Sequence, residues 1–155
     1  MIYMMCGIPG SGKSTYIQNK MRETELYWCS RDNVRFSLLK DNEDYFSHED
    51  EVFEKWIKEI NIAIEKNDKD IYIDATHLND KARNKVLFRL PKWVKNEIVY
   101  IVFKIPLDVC IERNSLRTGR AYVPESVIKN MYNSFTIPNS DRIIYINERG
   151  EIIDG

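Results

Sequence analysis

"GIPGSGKST", residues 7–15, fits the pattern G-x-x-x-x-G-K-[ST], with Gly7, Gly12, Lys13 and Ser14 in register. An apolar run, "IYMMC" (2–6), precedes it, and a helix-compatible "STYIQNKM" follows. Strand, glycine turn, helix is the setting in which this pattern cradles phosphate. Gly10 and Gly12 let the backbone curl, so that N–H groups face phosphate oxygens and the helix N-terminus adds its partial positive charge. Lys13 is placed to reach the β- and γ-phosphates, and the Ser14 hydroxyl to ligate Mg²⁺. Gly7, Gly10, Ser11, Gly12, Lys13, Ser14 and Thr15 form the candidate nucleotide-binding set.

Five more apolar runs, rich in β-branched and aromatic residues, lie downstream: "ELYWC" (25–29), "IYID" (71–74), "IVYIVFKI" (98–105), "RIIYI" (142–146) and a weak "EII" (151–153). Amphipathic segments alternate with them. Ser47 and Asp50 read as a capping box before a helix reaching about Lys66. Asn79 or Asp80 reads as the cap of a helix holding Ala82, Val86 and Leu87. Pro106 and Pro124 open "PLDVCIERNSLR" and "PESVIKNMYNSF". Near-continuous apolar strands alternating with helices imply an α/β fold. The expected architecture is a parallel sheet of about five strands, covered on both faces. The 155 residues suit a single domain, 1–155.

Composition excludes several classes. Hydrophobic residues make up 43% and charged residues 30%, as in an ordinary globular chain. No apolar run is long enough for a membrane helix. Cys6, Cys29 and Cys110 are scattered, which fits buried thiols in a reducing cytoplasm. His48 and His77 share no ligand spacing with them, so no zinc site is expected. The net charge is −1, so a bound polyanion must be gripped by a local cluster of cations and not by the whole surface.

"IYID" is an apolar strand ending in Asp74, a second acidic element placed to orient Mg²⁺ or its water shell. "ATHLND" continues the edge of the site, with Thr76 in it; His77 reads as an ordinary loop histidine. No N-K-x-D-type guanine motif occurs. The chain is also shorter than most ring-forming motor ATPases, so a small kinase with a lid and an acceptor site fits best. In "ERNSLRTGRAYVP" (112–124), Arg113 and Arg117 are four apart on one helix face, and Arg120 follows after Gly119. Guanidinium groups there can stabilise charge on a transferring phosphoryl group. In "SRDNVR" (30–35), Asp32 and Arg35 lie beyond the carboxyl end of the second strand, where ligands bind in open α/β sheets. Asp32 is a candidate general base for a hydroxyl acceptor. Arg35 shares its face and can hold an anionic part of that acceptor. Arg31 receives no role. Tyr45, Phe46 and Trp56 are candidates to stack on a base. Residues 138–140, "PNS", are a candidate adenine pocket.

Four stretches, "GIPGSGKST", "SRDNVR", "IDATHLND" and "VFKIPLDVCIERNSLRTGRAYVPESVIKNMYNSF", resemble the kinase domain of phage-type 5′-hydroxyl polynucleotide kinase. The resemblance implies a P-loop kinase fold with an arginine-bearing lid and ATP as phosphoryl donor with Mg²⁺. It implies a 5′-hydroxyl nucleic-acid end as acceptor. Asp32 would then be the general base, with Lys13 and Arg117 as the other catalytic residues. Arg35 would contact the acceptor's 3′-phosphate, with Asp74 and Thr76 beside it. Arg113 and Arg120 would bind nucleotide. The chain departs from the family pattern at Asn33, where an acid is common, and at His77, where asparagine is common. No D-x-D-G-T motif follows, so no 3′-phosphatase activity is expected. Zeta-toxin-like and antibiotic phosphotransferase-like kinases share the same scaffold with small-molecule acceptors. A non-catalytic nucleotide-binding module is a third alternative, but such a module needs neither base nor lid.

Overall fold

Strand β1 (Ile2–Cys6) lies at the middle of a sheet ordered β2-β3-β1-β4-β5-β6. A computed structural model describes residues 1–155, apart from the side chain of Arg120. The Arg120 expectation therefore lies outside the described residues. The strands are β2 (Leu26–Ser30), β3 (Asp70–Asp74), β4 (Ile98–Phe103), β5 (Ile143–Ile146) and β6 (Ile152–Ile153). The first five are parallel. The weak sixth run turns back antiparallel on β5, pairing Ile146 with Ile152.

Among the described residues seven α-helices fill the connections: α1 (Lys13–Glu23), α2 (Arg31–Leu38), α3 (Glu49–Lys66), α4 (Asp80–Leu87), α5 (Val94–Glu97), α6 (Leu107–Ser115) and α7 (Glu125–Ser134). Alternation along β1 divides the core. Met4 and Cys6 face one apolar cluster, with Trp56, Ile60 and Val86 of α3 and α4. Met5 faces the other, with Ile17, Cys110 and Ile128 of α1, α6 and α7. Residues i and i+2 of a strand share a face, so one strand feeds two cores. The helices cover both faces, as the near-continuous apolar strands require.

Asn79 caps α4, its side chain accepting from the Ala82 N–H at 3.0 Å. The capping box expected at Ser47 does not form. The Ser47 hydroxyl donates to the Asp44 carbonyl at 2.9 Å, and α3 starts after His48. Glu49, Asp50 and Glu51 in its first turn complement the helix dipole instead. Pro106 and Pro124 sit one position earlier than expected, as the residues preceding α6 and α7. Strand β4 ends at Phe103; Lys104 still donates to the Ile146 carbonyl at 2.9 Å, and Pro106 has no N–H to carry the ladder further. The three cysteines are buried thiols, and burial pushes Cys6 and Cys29 up to about 12. Among the described residues, no helix is long and apolar enough to cross a membrane.

Candidate active site

Five parallel strands deliver their carboxyl ends to one edge of the sheet. The register sets Met5 beside Asp74, and Asp74 beside Ser30. The turn after β1, the acid ending β3 and the helix opened by Ser30 therefore meet at that edge.

The turn after β1 has the expected cradle form. Gly10 and Gly12 hold φ of 83° and 92°, values that suit glycine. A Cβ on Gly10 would stand 2.4 Å from the Cys110 carbonyl oxygen, so α6 packs directly on the loop. The Gly7 N–H donates to the Thr76 carbonyl at 3.0 Å. Thr76 thus joins the site through its backbone, as a brace for the loop. Lys13 Nζ donates to the Gly7 carbonyl at 2.8 Å, which holds the ammonium across the loop. The Ser11 hydroxyl is buried without a partner among the described residues, so Ser11 meets the cleft through its main chain.

A cleft of about 690 Å³ opens from this loop. Gly10, Gly12 and Thr15 form its floor, Arg113 and Arg117 one wall, and the turn at Asn147–Gly150 another. Arg113 ties these parts together. It donates to the Gly10 carbonyl at 3.4 Å and to the Glu148 carbonyl at 2.5 Å. Arg117 is exposed on the same cleft. Asn114 is buried between them and holds the lid closed on itself. Its amide donates to the Val123 carbonyl at 2.6 Å, and its oxygen accepts from the Val123 N–H at 3.0 Å. The 147–150 turn walls this cleft, whereas residues 138–140, the candidate adenine pocket, do not line it. The antiparallel return of β6 builds that wall, and β6 was the weakest strand signal in the sequence.

Asp74 is 6% exposed and accepts from Trp28 Nε1 at 2.9 Å. Burial raises its pKa; Lys13 and the indole lower it, and the charge of Asp32 raises it further. A carboxylate strained in this way gains from a hard cation. Ser14 lies in the first turn of α1, so Asp74 and Ser14 are the residues that would hold a Mg²⁺ completed by nucleotide phosphates and water. No group of three or more His, Cys, Asp or Glu that could hold a metal alone occurs among the described residues.

Asp32 stands one residue inside α2, with its side chain 59% exposed. Ser30 caps this helix by accepting from the Asn33 N–H at 3.1 Å. Arg35 and the Tyr45 hydroxyl both donate to Asp32 Oδ1, the latter at 2.6 Å. Arg35 is not the open anion clamp expected. Its side chain is 7% exposed and forks onto Glu49, with Nε–Oε2 at 2.8 Å and Nη2–Oε1 at 2.7 Å. Arg31 reaches the same carboxylate at 3.4 Å and lies over the rings of Phe53 and Trp56. The Arg35 hydrogen bonds hold the Glu49 carboxyl below its usual range. Glu49 was missed because it is distant in sequence and reads as one more acid in a helix start. Trp56 is fully buried core, donating to the Cys29 carbonyl at 2.8 Å, while Phe46 is 66% exposed. His77 lies in the loop after β3, as expected, but it does not face solvent. It is buried with φ 44°, and Nδ1 donates to the Met5 carbonyl at 2.5 Å.

A family model described as AAA domain (AAA_33) matches residues 2–138. The chain belongs to this AAA domain family. Among curated relatives of this AAA domain chain, an L-seryl-tRNA(Sec) kinase of Methanococcus maripaludis is 29% identical over 150 residues. That match covers 90% of this chain and 54% of the relative, so the chain spans about half of the relative's length. Among solved structures, a sugar kinase from Janibacter superposes with a TM-score of 0.64 at 19% identity, covering 96% of this chain and 85% of that one. A chain of the Pnkp1/Rnl/Hen1 RNA repair complex superposes at 0.68 and 23% identity, covering 86% of this chain and 43% of that one. At these identities the two structures establish a shared fold.

Proposed function

We propose that this chain is an ATP- and Mg²⁺-dependent kinase that phosphorylates a 5′-hydroxyl end of nucleic acid. The observation that carries the reading is the placement of Asp32. It lies beyond the carboxyl end of β2, one oxygen fixed by Arg35 and Tyr45, with its charge felt at Asp74 beside Lys13. The second carboxylate oxygen is left to take the acceptor proton. The acceptor oxygen bonds to the γ-phosphorus, the bond to the β–γ bridging oxygen breaks, and ADP leaves. Lys13 and Arg117 offset charge on the phosphoryl and leaving oxygens. Ser14 and Asp74 would hold Mg²⁺, which would supply positive charge to the nucleotide phosphates. Arg113 and the 147–150 turn hold the nucleoside side of ATP.

A second acceptor is favoured by one observation, the 29% identity to the M. maripaludis protein named L-seryl-tRNA(Sec) kinase. A seryl hydroxyl carried on tRNA makes the same demand on Asp32. The sugar-kinase neighbour supports a small-molecule acceptor only at the level of fold. The test is γ-labelled ATP offered with a 5′-hydroxyl oligonucleotide, a serylated tRNA or a panel of sugars. Label in the oligonucleotide, abolished by Asp32→Asn, is expected. Label in another acceptor alone would redirect the assignment.

A further inference from the structure

Six of the chain's 23 basic residues, and none of its 24 acidic ones, fall within residues 81–96. In a chain of net charge −1 this is a marked concentration. The fold turns it into a surface. Lys81, Lys85 and Phe88 follow helical spacing on the solvent side of α4, while Val86 and Leu87 are buried on the other. Lys92 and Lys95 are exposed on the connection to β4. Arg83 is buried and serves the core, bonding the His77 carbonyl at 3.1 Å. Arg89 is neutralised by Glu54 through two contacts of 2.7 Å. Lys81, Lys85, Lys92 and Lys95 have no ion pair among the described residues. Two exposed aromatic residues lie between them in sequence, Phe88 at 85% exposure and Trp93 at 50%.

This surface meets the acceptor side of the site at Phe53. Arg31 lies 5.4 Å from the centroid of the Phe53 ring, and Lys85 lies 4.7 Å from the same centroid. Lys85 also contributes to holding the Glu49 carboxyl low, and Glu49 is the acid that forks onto Arg35. Arg31, next to Asp32 in sequence, thus shares the Phe53 ring with Lys85 of α4, and Lys92 and Lys95 follow along the chain after that helix.

We infer that the face formed by residues 81–95 is a binding track for the nucleic-acid strand that carries the reacting hydroxyl. Unpaired lysines neutralise phosphates, and Phe88 and Trp93 offer faces for unstacked bases. The track lies outside the catalytic cleft, so it sets affinity for the length of the acceptor and not the chemistry at its end. The inference takes its ligand class from the proposed acceptor, but its surface is independent of Asp32.

The test combines Lys81→Glu, Lys92→Glu and Lys95→Glu in one variant, leaving Lys85 in place. Binding is read by fluorescence anisotropy with a 5′-phosphorylated oligonucleotide of about 20 nucleotides, which needs no transfer. Turnover is read with that length bearing a 5′-hydroxyl and with a dinucleotide. The expected result is binding weaker by about tenfold or more, with the salt slope reduced by about 2. KM for ATP and for the dinucleotide stays at the wild-type value, and an unchanged melting temperature shows that the fold is intact. Equal affinity and salt slope in variant and wild type would overturn the track. Absence of salt-dependent oligonucleotide binding by the wild type would also overturn it, and would leave the face to a protein partner. If the variant loses oligonucleotide binding while the wild type phosphorylates neither nucleic acid, the track stands and the proposed activity fails.

Discussion

Tyr45 donates its hydroxyl hydrogen to Asp32 Oδ1 at 2.6 Å and accepts one from Arg35 Nη1 at the same distance. The phenol joins an acid and a base thirteen and ten residues away, from the segment between α2 and α3. Tyr45 and Arg35 both fall on Oδ1, and the other carboxylate oxygen has no hydrogen bond among the described residues.

Asp32→Asn keeps this shape but cannot take a proton. Transfer to the acceptor is expected to fall by about 10²–10⁴. ATP affinity, measured by calorimetry, is expected to stay unchanged. Tyr45→Phe removes one anchor and is expected to cost about tenfold in kcat. A wild-type rate in Asp32→Asn removes Asp32 from the mechanism.

Glu49→Gln leaves the Arg35 guanidinium with half of its counter-charge removed in a nearly buried position. The expected loss is about 1–3 kcal/mol of stability, read from denaturant or thermal unfolding. The acid limb supplies a second readout. The carboxyl of Glu49 is held below its ordinary 4.5 in the fold, so its stabilisation is present above that pH. It is lost as pH falls through the lowered folded value. The variant should therefore lose less stability than the wild type over that lowest range.

His77 gives a different window. Burial lowers its pKa from 6.5 to about 4. The unfolded chain binds this proton first, so stability falls as pH drops from about 6.5 towards 4. The loss at most reaches about 3 kcal/mol. Asparagine tolerates the left-handed backbone at this position and can donate to the Met5 carbonyl. His77→Asn should flatten the melting temperature between pH 7 and 5; an unchanged slope would assign that slope to other groups.

Asn114→Ala would strip both hydrogen bonds from the Val123 backbone at the end of the lid. The expected cost is about 1–3 kcal/mol locally. Limited proteolysis should then cut faster after Arg117, and KM for ATP should rise. Equal cleavage rates in both proteins would show that the lid is held elsewhere.

Much of this was legible before folding. The "GIPGSGKST" loop, the acid ending "IYID" and the order of strands and helices all follow from local spacing, because glycine turns and apolar periodicity act over a few residues. Asp32 was legible as well, since its place follows from the end of a strand. Arg35 was read on the right face and given the wrong neighbour, because Glu49 lies fourteen positions on, beyond the irregular segment 39–48. The basic content of 81–96 was visible in composition, but its solvent side and its link through Phe53 were not.

The sequence by itself determined an α/β sheet with a phosphate loop after the first strand and candidate residues at the carboxyl ends of the others. Those features depend on local backbone preference and on periods of two and 3.6. Only the tertiary structure decided which charges meet. It set Glu49 on Arg35, turned Trp56 into core, and brought the 147–150 turn to Arg113. Contacts between distant segments depend on how the two cores pack against β1, and no local pattern encodes that packing.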